Sequence, residues 1–556
     1  MHILQGMLRA LPLCQLRKRR GIRTVIDYNT VRDSPIMKLI VQPSDVAMSE
    51  PVVMLNRDDC LQLGVGPTDR ILITSVRSIV TSIVTTDNEV GKGSIGMPAY
   101  VLERCGATDG GLVDVVYSPM PESVKSIRKK INGNTLNGEE IRSIVEDIME
   151  GNLAEKEILA FVSAFNVNNA EMSEIAQLTR SMASTGIMVD FGTMPVMDFH
   201  SLGGVPGNKI TPIVVSIVAS EGLLIPKMSS RAISSACGTS DFVDTFCDVE
   251  LNRDQLMSAI RKANGVFACG NEDYAPVGRK IIRAERPLGI DPRPTMLASI
   301  MSKKVAIGTT HLLIDIPMGE GSKIPDIATA RDYAKDLTEL GTLLGIHVEC
   351  GVSRADEPIG HMIGPILEAK ECIEVLEKGD GDPEVVDKAC SMAGILLEMA
   401  GEQDGKERAL KILGSGAAHR KFLEIVEAQN GDPGLRSEHL VPGSFVKDVH
   451  AKRTGFVQYI DNAGMVAIAK GAGDPSDLGA GLEMLHKKGD RVEEGDVLFR
   501  IYAENQAKLD RAVESARSRR PMYVQDTPVQ DSGPMMLERI PSKKLLDLIR
   551  FARSTE

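Results

Sequence analysis

Beyond Pro195 the chain alternates short, strongly apolar runs with longer amphipathic stretches, and this alternation limits its fold more than any other feature. HLLIDIP at His311 to Pro317, a helical pattern near Ile327 to Leu340 and IHVEC at Ile346 to Cys350 make one such unit. Strands joined through a helix lie parallel, because a parallel partner is reached only by a crossover. An α/β domain with a largely parallel sheet is therefore expected over 196–440.

The flanks read differently. From Lys38 to Ser118, short β-rich runs (LIVQP, VVML, RILIT, SIVTSIVTT, VDVVY) are separated by Gly, Asp and Asn turns, which predicts a small barrel-like β module over 37–118. Pro119 and Pro121 mark a linker, and a helical domain over 119–195 follows, with the possibility that later helices join it. Asn137 with Glu140 forms a capping box, and Ile141, Ile144, Val145, Ile148 and Met149 recur at helical spacing behind it. Further helices are expected around Lys156 to Phe165 and Ser173 to Met182. Residues 441–556, with GFVQYID and GDRVEEGDVLFRIYAE, predict a C-terminal β-rich, barrel-sandwich-like module and tail. The Lys-centred turn that would carry biotin or lipoate is absent, so a structural or oligomer-forming role is expected there. Residues 1–36, with RKRR at Arg17 to Arg20, read as an extension from an upstream start, with Met37 as the natural beginning; a targeting segment is the alternative.

At 556 residues the chain exceeds a single core and is expected to be multidomain. Its 76 acidic against 64 basic residues, a net charge of -12, argue against nucleic acid as a partner. The nine cysteines form no CxxC pair, so neither a disulfide framework nor a metal site is indicated and a cytoplasmic location is expected. The most apolar run, IVVSIVA at Ile213 to Ala219, falls well short of the roughly 20 residues that span a bilayer, so no membrane partner is expected.

Two stretches carry chemistry. SLGGVPGNK, Ser201 to Lys209, joins a short extended run to an apolar segment starting near Thr211, placing glycines and backbone N–H groups at an expected helix start. Glycines let the main chain approach an anion and a helix N-terminus supplies partial positive charge; a plain turn is the alternative. SSRAISSACGTSD, Ser229 to Asp241, packs five serines, Thr239 and Arg231 into thirteen residues. Such density suits phosphate and ribose hydroxyls, or else a solvated loop with a helix N-cap at Thr239 or Ser240.

With AERPLGIDPRPTMLASIMSKK at Ala284 to Lys304 and DIPMGEGSK at Asp315 to Lys323, the four stretches resemble the pyrimidine and AMP phosphorylase family, and its archaeal AMP-cleaving branch most, over Met37 to Ile540. GLLIPKMSSRAI, GILLEMAG and GAGDPSDLGAG extend the likeness. The resemblance implies nucleotide contacts at Gly204, Ser230, Arg231, Ala232, Ile233, Ser234, Ser235, Thr239, Ser299 and Lys323, with Asp291 as the catalytic proton donor. It places His200 and Ser201 beside inorganic phosphate and Lys303 and Arg283 among basic residues lining the site.

The implied enzyme is a pentosyltransferase converting AMP or another nucleoside monophosphate, with inorganic phosphate as co-substrate and no cofactor or metal, to the free base and ribose 1,5-bisphosphate. Arg231 and Lys323 would hold the 5′-phosphate, and Ser201 and Thr239 would lie near the attacking one. A pyrimidine nucleoside phosphorylase and a non-catalytic nucleotide-binding relative are the alternatives; relatives are at least dimers, so a homo-oligomer is expected. Two departures stand out. Phe199 occupies a position where many relatives carry Lys, which removes an ammonium expected near phosphate. ACGNEDYAPVGRK, Ala268 to Lys280, replaces a stretch running near WGGAxxxAPAD, so base recognition is expected to differ.

Overall fold

The computed structural model describes residues 36–45, 52–86, 89–232, 236–270, 273–288, 292–529 and 533–542. Except for Ile36, the expected N-terminal extension lies outside them. The chain divides into two compact units, one comprising the segment up to Lys125 with Glu150–Glu157, the other Ser126–Met149 with Ile158 onward.

In the first unit six strands close a barrel: β1 (Met37–Ser44), β2 (Val52–Asn56), β3 (Arg70–Thr74), β4 (Ser78–Thr86), β5 (Ser94–Pro98) and β6 (Leu112–Tyr117), in the order β1-β5-β2-β4-β3-β6. Period-two alternation turns Leu39, Val41, Ile71, Ile73, Ile79 and Ile83 inward, where all are buried. Two short helices add Cys60, Leu63, Val101 and Cys105 to the same core. Asn56 caps the first, its side chain accepting from the Asp58 N–H, and Gly64 ends it at φ 68°.

The second unit holds the rest. In its helical part, Asn137 and Glu140 form the capping box, each side chain accepting from the other's backbone N–H at 2.8–3.0 Å. Helices run Gly138–Glu150, Glu155–Val167 and Met172–Ala183, and the later helix Arg293–Ala306 packs on the last of these. Five parallel strands follow: β7 (Met197–Ser201), β8 (Ile225–Ser229), β9 (Gly265–Cys269), β10 (His311–Met318) and β11 (His347–Arg354). β11, β10 and β7 pair in that order, β8 pairs with β9, and a parallel bridge between Val196 and Leu224 joins the two groups. Helices Thr211–Ser220, Pro365–Lys378, Pro383–Met399 and Ala417–Ala428 share one core with Met197, Phe199 and Leu313 of the sheet.

The C-terminal part has more helix than the sequence reading allows. Its sheets are β12 (Met362–Ile363), β15 (Gly481–Met484), β17 (Val497–Ala503) and β13 (Phe445–His450) in one, and β16 (Arg491–Val492), β14 (Gly455–Ile460) and β18 (Met522–Gln525) in the other. Helices Asn462–Ala472 and Gln506–Arg519 share their core. The first is a run of Ala, Gly and small apolar residues that gives little periodic signal, but Asp461 caps it.

The boundary at 440/441 is crossed twice. Met362 and Ile363 pair with β15, and a last strand, β19 (Met536–Ile540), leaves the C-terminal module to pair antiparallel with β11 at the sheet edge. The tail thus belongs to the α/β sheet. Ion pairs fix it there, with Arg539 on Glu349 at 2.8 Å and on Glu398, and Arg331 on Glu538 at 2.9 Å.

Candidate functional site

The order β11-β10-β7-β8-β9 sets where a ligand can sit. From β7 the chain moves to one side through β8 and β9; from β10 it moves to the other. The connections diverge at the carboxyl ends of β7 and β10, and such a switch point leaves a crevice.

Ser201 ends β7 beside Asp315 of β10. Its hydroxyl donates to Asp315 Oδ2 at 2.7 Å, while Asn208 Nδ2 donates to Ser201 Oγ at 3.1 Å. Asp315 is fully buried, accepts from Ser353 Oγ at 2.5 Å and is paired with the buried Lys388 at 3.0 Å, so Ser201 is fixed from below. Gly203 and Gly204 follow at φ 72° and 88°, the left-handed region that suits glycine. A Cβ on Gly204 would lie 2.9 Å from Lys323 Cγ and 3.2 Å from its backbone N, so the glycine admits Lys323 to the crevice wall.

Two expectations for this loop change. The helix starts at Thr211, well beyond Gly203 and Gly204, whose N–H groups are therefore not its N-terminal amides. Pro206 and the buried Lys209 intervene; the Lys209 ammonium donates to Ile359 O at 2.8 Å and Glu371 Oε2 at 2.5 Å, which makes it a strut. Phe199 alternates with Asp198 and His200 and lies, 0 % exposed, in the core under helix Thr211–Ser220. The Phe199 side chain faces the core and not the crevice.

Asp198 and His200 take the opposite face. Asp198 is buried, pairs with Lys304 at 2.8 Å and accepts from Thr309 Oγ1 at 3.2 Å. His200 Nδ1 is buried without a hydrogen-bond partner. Burial, with Lys304, Lys227, Lys303 and Lys323 nearby, holds the imidazole well below its usual pKa and hence neutral. Lys303 donates to Ser230 Oγ at 3.4 Å; burial and then Lys304 push its pKa down to about 8.

The serine-rich stretch forms the other wall at the end of β8. Ser229 Oγ donates to Ala268 O and accepts from Ser240 Oγ at 3.1 Å. The Asp241 carboxylate accepts from Ala232 N at 2.7 Å and Gly238 N at 2.9 Å, drawing the ends of the intervening loop together. A Cβ on Gly238 would meet Ala232 N at 2.5 Å, so this closure requires glycine. Gly238 is also the N-cap of the short helix Thr239–Val243, in place of the expected Thr239 or Ser240, and Thr239 is half-buried just inside it.

Arg231 does not present a free guanidinium. It is paired with Asp244 at 2.9 Å, Glu250 at 3.1 Å and Asp241 at 3.5 Å; burial works to lower its pKa, but the hydrogen bonds to Glu250 and Asp244 outweigh it and the pKa is raised. Ile233, Ser234, Ser235 and Asp291 lie outside the described residues. Ser299 is half-buried on helix Arg293–Ala306; a Cβ on Gly278 would come within 3.7 Å of its hydroxyl. Arg283 is exposed on helix Val277–Glu285. In the departing stretch, Asp273 O accepts from Ile187 N at 2.6 Å, Ala275 takes φ 51°, and Tyr274 is buried with its hydroxyl unpartnered and its pKa raised by burial to about 12.

The structure thus brings together His200, Ser201, Gly204, Ser230, Lys303 and Lys323. It adds Asp198, Lys227, Asp241, Lys304 and Asp315, which sequence reasoning passed over. Lys227 alone left a readable trace, as a lysine inside the apolar run LLIPKM. Among the described residues no group of three His, Cys, Asp or Glu side chains could hold a metal ion, and no helix is long and apolar enough to cross a membrane.

Three family models match: the glycosyl transferase family helical bundle domain over 124–186, the glycosyl transferase family a/b domain over 193–419 and the pyrimidine nucleoside phosphorylase C-terminal domain over 456–522. An anthranilate phosphoribosyltransferase from Thermus thermophilus aligns with a TM-score of 0.48 and 18% identity over 55% of this chain and 99% of its own. The chain is 43% identical to the AMP phosphorylase of Thermococcus kodakarensis over 89% of its length and 100% of that protein. Against the AMP phosphorylase of Methanococcoides burtonii it is 41% identical, over 91% of this chain and 100% of the relative. Identity at that level, sustained from the barrel through the C-terminal module, means that the chain belongs to the AMP phosphorylase family.

Proposed function

We infer that this protein is a pentosyltransferase that phosphorolyses AMP, giving adenine and ribose 1,5-bisphosphate. Full-length identity above 40% to AMP phosphorylases carries the reading. The excess of ammonium groups around His200 at a sheet switch point supports it, since the reaction brings two phosphoryl groups to one place.

In the step itself, an oxygen of inorganic phosphate attacks the anomeric carbon and the carbon–nitrogen bond to the base breaks, its electron pair leaving with adenine. Asp291 is the proposed donor of the proton that neutralises the departing base, help typically worth roughly 100- to 10,000-fold. Ser201, held by Asp315, and His200 are proposed phosphate contacts. Ser230, Ala232, Ile233, Ser234, Ser235, Thr239, Ser299, Gly204 and Lys323 are proposed nucleotide contacts. Arg231 is better understood as a loop anchor, because its guanidinium already meets three carboxylates. The preference for a 5′-phosphorylated substrate then leans on Lys323. A homo-oligomer in the cytoplasm, without cofactor, completes the reading.

Purified protein given phosphate with AMP, CMP, UMP, GMP or thymidine should release base from AMP foremost. Turnover of thymidine alone would instead make it a nucleoside phosphorylase, and no turnover of any substrate a binding protein. Asp291→Asn should retain nucleotide binding and lose turnover by roughly 100-fold or more. Unchanged turnover would place the acid elsewhere.

A further inference from the structure

Lys323 sits on the short connection that leaves β10, and the chain there is closed on itself. Met318 and Ile324 form a parallel bridge across its base, the Gly319 N–H donates to Ile324 O at 3.0 Å, and the Ser322 hydroxyl lies 2.8 Å from both the Gly319 and the Ile324 carbonyl oxygens. The back of this loop rests on the residues that follow β11. Ala355 N donates to Met318 O at 2.8 Å, and a Cβ on Gly319 would lie 2.5 Å from Asp356 N, so the two backbones touch. Lys323 itself is exposed and packs beside Gly204.

The C-terminal module reaches the same place. Asn462, the first residue of helix Asn462–Ala472, is 1 % exposed, and its Nδ2 donates to Ala355 O at 3.0 Å. A Cβ on Gly321 would lie 3.5 Å from the Tyr459 hydroxyl and 3.8 Å from Asn462 Cβ, so the tip of the loop faces these two side chains. Asn462 Oδ1 is buried with no hydrogen-bond partner among the described residues, a cost to stability that an apolar residue of the same size would not carry. Packing alone therefore explains this position poorly, and what the amide's polarity supplies is the bond to Ala355. Across the crevice, Ala236 of the serine-rich loop is buried in the core that contains Met465, Ile468 and Ala472 of the same helix. Both walls of the crevice thus lean on one helix of a module that supplies none of the residues assembled above.

We propose that Asn462 is a positioning residue for recognition of the nucleotide's 5′-phosphate, acting through Ala355 and the Gly319–Ile324 loop to set where Lys323 stands. An ammonium attracts a phosphate in inverse proportion to their separation, so the loop's placement decides how much of the Lys323 charge the substrate feels. The inference rests on the AMP phosphorolysis reading for the identity of the ligand. AMP alone, and inorganic phosphate alone, are titrated calorimetrically into wild type, N462A, K323M and the N462A/K323M double variant.

N462A should bind AMP roughly 5- to 20-fold more weakly and K323M roughly 10- to 100-fold, the ranges expected for one neutral and one charge-assisted hydrogen bond. In the K323M background N462A should cost less than about two-fold more, because two residues that act through one contact are not additive. Affinity for inorganic phosphate should move less than about two-fold throughout, and in turnover KM for AMP should rise while KM for phosphate holds. A merely structural role would weaken both ligands together. If N462A does not fold, N462L, which keeps the volume and drops the donor, carries the same test. Equal AMP affinity in a folded variant overturns the proposal, as do additive losses in the double variant or a parallel loss of phosphate. Asn462-dependent AMP binding without turnover leaves the proposal standing and overturns the phosphorolysis reading alone; a wild type that binds no AMP overturns both.

Discussion

Asp241 makes the residue-scale case that a site's shape can depend on a side chain that touches no substrate. One carboxylate holds Ala232 N and Gly238 N and faces Arg231, so it fixes both ends of the serine-rich loop. Asp241→Asn keeps the volume but weakens two charge-assisted bonds. KM for AMP should rise roughly 10-fold or more with the circular dichroism spectrum retained; an unchanged KM would show that the loop holds itself.

Lys303 gives a pH dependence of definite sign. Its folded pKa of about 8 lies below its ordinary value of 10.5, so it is charged below about 8 and loses its proton as pH rises through that point. Phosphate affinity should fall there, visible as a limb in kcat/KM that Lys303→Met removes. Folding stability runs the other way. Between about 8 and 10.5 the unfolded chain binds the extra proton, so this lysine's destabilising effect is relieved as pH rises. Residue types in this site were legible because the motifs hold them, but their partners were not. Asp244 and Glu250 meet Arg231 only through tertiary packing, and nothing in DFHS says which side chains face the core.

At the scale of elements, helices with caps and periodic faces could be read directly. The Asn137–Glu140 box and the pattern behind it gave the start of Gly138–Glu150, and Ile327–Leu344 was recognised within a few residues. What escaped notice was partnership between distant segments. β19 is a five-residue run with alternating exposure, and no local signal says that it pairs with β11 rather than with the neighbouring module. Its removal uncovers the edge of a strand whose six central residues are buried. A chain ending after Gln525 should melt at lower temperature and aggregate at an earlier point than the parent, because an open apolar edge templates further pairing. Equal melting and solubility would mean that β19 is an accessory.

For the whole molecule, division into two units predicts separable folding. The barrel closes on itself and has its own core, including Leu39, Val53, Ile71, Ile83, Ile95 and Val115. A fragment spanning 36–125 should therefore show one cooperative unfolding transition; a non-cooperative melt would show that the barrel borrows stability from outside itself. The sheet of the second unit has no such independence. During synthesis β11 emerges with an unpaired edge, and at about 5–20 residues per second the strand that covers it appears roughly 10 to 40 seconds later. Until then the nascent sheet offers any passing strand the place that β19 will take, and so this is the interval in which a chaperone would have most to protect.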